Sequence, residues 1–300
     1  MVGARVFIRS LSFPNRLSKP PLITHHFRSV SLPCRSHPLI VQLRHEINDL
    51  KTWVSMPQDM TSVWISDGLK RLRDVNESLG YIIQLPQTQE SLRNHRKWVD
   101  KLLDDFLRFI DVYGIFQNMV LGFKVEVLAA QVAVRKRDDS GIESYDKTRK
   151  KMAKQVAKLV ARVRSTAHDS SVPRLSSVPV SDKELVCLFS DVSEVTVLVS
   201  VALFRGILTS LSPKKFPCME LRRIGKKTKK VEVERGIEEF EKCRVKNLWD
   251  LRKKEDDEIK MVLGKMQELE WCIGDLEAGG ERLFRSFINT RVLLLNTLIQ

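Results

Sequence analysis

Ile259, Val262, Met266, Leu269, Ile273, Leu276, Gly280, Leu283 and Phe287 follow one another at alternating steps of three and four residues. This heptad period is sustained over four repeats and lays an apolar seam along one side of a single long helix. A strand cannot use the pattern, because its side chains change face at every residue. The seam predicts burial inside the chain's own bundle, with pairing to a second copy as a coiled coil as the alternative. Gly280, directly after Gly279, removes one knob from the seam. It predicts a hinge or a close approach by a neighbour.

Similar periods recur upstream. Leu39 to Val54 reads as a first helix, and residues 59–85 as a second, with Ile65, Leu69, Leu72, Asn76, Leu79 and Ile83 on one face. Pro86 stops it, and Thr88 is the expected cap of a third helix running from Gln89 to Arg137. That helix carries Val99, Leu103, Phe106, Ile110, Tyr113, Gln117 and Val120 at steps of four and three. Ser140 with Glu143, and Ser181 with Glu184, resemble capping boxes that open two further helices. The first is basic and reaches about Arg164; the second is strongly apolar and ends near Leu211. The last element is expected to start near Val233. No stretch alternates like a strand over comparable length. The predicted fold is all-α: an elongated bundle of long antiparallel helices, with a heptad-patterned C-terminal helix. It spans 39–300 as one domain, with flexible linkers at 165–180 and 213–231.

Charge and proline set the N-terminus apart. Residues 1–45 hold seven of the 51 Lys and Arg and no acid, so half of the net +14 sits there. Pro14, Pro20, Pro21, Pro33 and Pro38 oppose regular structure. Residues 1–38 therefore read as a disordered basic segment, and their Arg- and Ser-bearing, acid-free composition also fits a targeting extension. Cys34, Cys187, Cys218, Cys243 and Cys272 are odd in number and widely spaced, which argues against a disulfide framework or a structural zinc site and predicts free thiols. No uninterrupted run reaches the ~18 apolar residues of a membrane span. The best candidate, Val195 to Phe204, fits a core helix.

Motifs of catalysis are missing. There is no phosphate-binding glycine loop, no GxSxG, no HExxH and no EF-hand pattern. Asp104-Asp105 and Asp256-Asp257 are adjacent on helices, about 100° apart, so neither forms a carboxylate dyad alone. His95 reads as a surface residue. No catalytic residue, cofactor site or metal site is assigned, and the chain is expected not to be an enzyme.

Two basic features stand out. Lys147, Lys151, Lys154, Lys158 and Arg162 step by four, three, four and four along one helix, reinforced by Arg149, Lys150 and Arg164. Met152, Val156, Leu159 and Val163 supply a neighbouring apolar stripe. Such a helix can pack in a bundle with a solvated basic face, lie on an anionic membrane, or enter an acidic partner's groove. The second feature, residues 214–230, includes Lys226, Lys227, Lys229 and Lys230, with Glu220 as its one acid. It suits an exposed linker, a membrane surface or an import receptor. Without interleaved aromatics beyond Phe216 it gives no sign of base stacking, so nucleic acid is not an expected partner.

Four groups of residues, in order along the chain, carry a resemblance. They are His26 to Pro33 with Arg35 to Pro38; Leu85 to Gln89; Val99-Asp100 through Leu107-Arg108 to Asp111–Gly114; and Leu276-Glu277, Glu281–Arg285, Thr290–Val292 and Leu294–Asn296. Together they resemble the plant-specific BYPASS-related family over residues 25 to 298. Tyr113 and Gly280 depart from it, where a small residue and Leu are expected. The resemblance implies a plant protein with an all-helical fold, a role in root and shoot development, and no known enzymatic activity. The expected function is non-enzymatic, through protein–protein or membrane-surface contacts; an unrecognised enzyme and a nucleic-acid-associated nuclear protein are the alternatives. The expected location is cytoplasmic, against organelle import through residues 1–24 or nuclear import.

Overall fold

Long helices need neighbours to cover their apolar faces, and here they cover one another. The computed structural model describes residues 37–56, 59–169, 180–212, 236–244, 248 and 253–299, without the side chains of 167–169, 180 and 181. Helix α1 spans Pro38–Ser55, α2 Ser62–Ile83, α3 Pro86–Asn94, α4 Arg96–Lys136, α5 Asp139–Asp169, α6 Val180–Leu211, α7 Glu238–Lys242 and α8 Asp256–Ile299. No strand occurs among the described residues, so the all-α fold holds. All eight helices lie in one unit, His37–Gln300. Residues 1–36 and the sequence-predicted linker at 213–231 lie outside the described residues.

Contacts between helices close a ring. Helix α4 packs on α8, α8 on α2, α2 on α1 and α6, α6 on α5, and α5 back on α4. Helices α4 and α8 are antiparallel: Arg291 donates to the Leu103 carbonyl (3.3 Å), Gln117 to that of Glu277 (3.3 Å) and Gln131 to that of Met266 (3.4 Å). Within the ring, Phe109 stacks on Phe287 at 5.5 Å and Phe116 lies 5.2 Å from Phe204. Tyr113 is buried against Phe287 and Phe204, its hydroxyl 2.9 Å from the Ser200 hydroxyl. Ser200 thus makes room for a phenol where the family resemblance leads one to expect a small residue.

Every residue of the predicted α8 seam is buried within the chain's own bundle. The helix runs unbroken through Gly279 and Gly280. A Cβ on Gly280 would lie 2.6 Å from Gln117 Nε2 and 3.2 Å from Phe116, and one on Gly279 3.0 Å from Leu69. Close approach to α4 and α2, not a hinge, is what the two glycines provide. The predicted face of α2 is also buried throughout. Gly68 there leaves room for the Trp53 ring, stacked on Trp64 at 4.8 Å, to approach the helix closely.

Several expectations change. The predicted third helix is two helices, interrupted at His95, whose backbone (φ −119°, ψ 48°) leaves the helical region. His95 is half-buried rather than a free surface residue, and its Nε2 lies 2.9 Å from Asp182 of α6. Pro86 occupies the first position of α3 after Leu85, so the buried Thr88 lies inside the helix and caps nothing. Asp138 accepts from the Ser140 backbone N–H (3.0 Å) and hydroxyl (2.7 Å), replacing the predicted Ser140–Glu143 box. The preceding turn places Arg137 in the left-handed region, at φ 54°. Helix α5 extends to Asp169 with Thr166 buried, so helix reaches into the predicted linker at 165–180, whose residues 170–179 lie outside the described residues. The last element does not start near Val233: α7 covers only Glu238–Lys242, and α8 begins at Asp256. Of the adjacent acids, Asp105 is buried while Asp104 is exposed, as two faces of one helix require.

Candidate interaction surface

Helix α5 is divided by its period into a buried and a solvent face. Met152, Val156, Leu159 and Val163 are buried against α4 and α6. Lys147, Lys151, Lys154, Lys158 and Arg162 are all exposed, as the sequence predicts. Lys147 is paired with Glu143 at 2.8 Å. Lys151, Lys154, Lys158 and Arg162 have no carboxylate partner among the described residues. From Lys147 to His168 the sequence has no acid, and Glu143 and Asp146, upstream on this helix, pair with Lys147 and Lys150.

Arg149 does not join it. Its guanidinium is buried and donates to the Ser210 carbonyl at 2.9 Å, the Phe240 carbonyl at 3.2 Å, the Cys243 carbonyl at 3.3 Å and the Tyr145 hydroxyl at 3.2 Å. These carbonyls lie at the C-terminal ends of α6 and α7, where partial negative charge collects. One buried cation therefore closes two helix ends. Burial pushes Tyr145 and Cys243 each up to about 12, so both stay protonated at neutral pH. The Cys243 thiol donates to the Lys265 carbonyl at 3.2 Å. Polar groups in this cluster are occupied by backbone, which makes it an anchor between α5, α6 and α7.

Beside the basic row lies a surface that sequence reasoning missed. Between Ile115 and Val132, the exposed positions of α4 are Ile115, Asn118, Leu121, Gly122, Val125, Leu128, Ala129 and Val132. None is charged. They run for about 26 Å at 1.5 Å per residue. Leu121, Val125, Leu128 and Val132 repeat at four, three and four, a second stripe on the same helix as the buried one. Lys124, at its edge, is tied to Glu277 at 2.6 Å. An open groove of ≈ 370 Å³ joins the two surfaces, with Ile115, Asn118, Gly122 and Glu126 on one wall and Lys151 and Gln155 on the other.

Helices α4 and α6 are long and apolar enough to cross a membrane on length and composition alone. Asp111, Lys124 and Glu126 in α4, and Asp191, Glu194 and Arg205 in α6, break both into shorter apolar runs in the sequence. Helix α6 has 50% of its most apolar stretch buried, but α4 only 39%. No group of three His, Cys, Asp or Glu side chains is placed to hold a metal among the described residues. Cys187, Cys243 and Cys272 are free thiols; Cys34 and Cys218, like Lys226, Lys227, Lys229 and Lys230, lie outside the described residues.

Fold and surface together define an all-α bundle with a long two-helix face. The family model described as Protein BPS1 matches residues 68–297, which takes in that face and most of the bundle. The chain belongs to this family, the BYPASS family of plant developmental proteins. The N-terminal motif at 26–38 precedes the matched span. No curated protein and no solved structure matches the chain.

Proposed function

We propose that this plant protein acts without catalysis in root and shoot development, by bringing the basic face of α5 against an acidic surface. The observation that carries this is the row Lys151, Lys154, Lys158 and Arg162, exposed on successive turns with no carboxylate partner among the described residues. Four like charges at this spacing repel one another, and an unpaired row is better explained by a partner than by folding. Salt bridges elsewhere on α5, Lys147–Glu143 and Lys150–Asp146, give the local contrast.

Seedlings lacking the protein and supplied with a variant carrying Glu at all four positions test the reading. The variant is expected to fold, since the four side chains are exposed, and to fail to restore growth. Full restoration by a well-folded variant would overturn it.

A further inference from the structure

We infer that the uncharged face of α4 and the basic row of α5 form one docking surface for an anionic lipid bilayer, with α4 entering the headgroup layer and α5 holding the lipid charge. The inference rests on the reading above and names the acidic surface. Two independent observations meet here. One is the apolar strip Ile115, Leu121, Val125, Leu128 and Val132, each at least 36% exposed and Val125 64%. The other is the cation row, which meets the strip at the groove that Lys151 lines together with Ile115 and Gly122. Glu126 is the acid in that groove; Glu277, on the opposite flank, is neutralised by Lys124.

An anionic leaflet offers both complements at once, acyl chains beneath a negative surface. Peripheral helices bind it with an apolar face lodged about 5–10 Å deep and Lys or Arg beside it. A protein partner would have to bring its own apolar strip and its own acidic row. Moreover, protein interfaces centre on Trp, Tyr and Arg anchors, and this strip has only aliphatic side chains, Asn and Gly. A contiguous exposed apolar patch of this length marks a contact surface rather than ordinary solvent-facing residues.

Flotation of the full chain with phosphatidylcholine vesicles, with and without phosphatidylserine, tests the inference at two salt concentrations. Binding is expected only with phosphatidylserine, and it should weaken as salt rises. Replacing Lys151 and Lys154 with Ala should weaken partitioning by about fivefold per cation, ~1 kcal/mol each. Val125→Glu with Val132→Glu should abolish it while circular dichroism stays unchanged. Absence of flotation, equal flotation on neutral vesicles, or full binding by the Val125→Glu/Val132→Glu chain would overturn the inference. So would a wild-type dimer in sedimentation that this variant dissociates without any vesicle binding, since the strip would then belong to a second copy. If the four-Glu variant fails in seedlings while the wild-type chain ignores vesicles, the α5 reading stands and the lipid assignment falls.

Discussion

Two apolar stripes with the same heptad spacing meet opposite fates in this molecule. The α8 seam, Ile259 to Phe287, is buried along its whole length between α4 and α2. The outward stripe of α4, Leu121 to Val132, faces solvent. Spacing alone makes the two nearly equivalent, since both place apolar side chains on one side of a helix. What separates them is the number of neighbours. Helix α4 already covers its inner face with α8 and α5, and no other described helix packs on its outer one. A heptad therefore announces a sticky face without saying whether the same chain covers it.

Replacing Leu269 with Asp should give the largest effect. Leu269 is fully buried, and its loss costs about 2–5 kcal/mol before the buried carboxylate is counted. A melting temperature lower by roughly 10 °C or more is expected. An unchanged melt would show that the seam is not part of the core.

Arg149→Ala comes next, and it sharpens the same contrast within α5. Removing the buried guanidinium strands the carbonyls of Ser210, Phe240 and Cys243, at a cost of about 3 kcal/mol. Lys158→Ala, four residues from solvent-facing Lys154, should leave the melt within about 0.5 kcal/mol. Equal effects from the two would remove the distinction between anchor and surface row.

Gly280→Ala is expected to cost about 1–2 kcal/mol, because the new methyl meets the Phe116 ring as well as the movable end of Gln117. Urea denaturation measures this directly. A neutral result would mean that α4 and α8 can separate locally at no cost.

The smallest effect on folding belongs to Val125→Glu. At this exposed site the stability change should stay within about 0.5 kcal/mol. A large destabilisation would show the α4 strip to be covered inside the chain, and the two stripes would then not differ.

Residue order alone makes the chain helical, sets which face of α2 and α8 is apolar and where the α5 cations fall, and puts Gly280 in the seam without a knob. These properties are local: side-chain period, cap chemistry and proline all act within a turn or two. That Arg149 turns inward while Lys151 does not depends on residues far along the chain. Both sit in the same basic run, but Arg149 points at the ends of α6 and α7, which the chain brings there from 61 and more residues away. Likewise His95 reads as a surface residue until Asp182 arrives from 87 residues downstream to hold the kink between α3 and α4. The exposed α4 strip was hidden for the opposite reason. Its residues look like core in sequence, and only the closed ring of neighbours shows which apolar face was left without one.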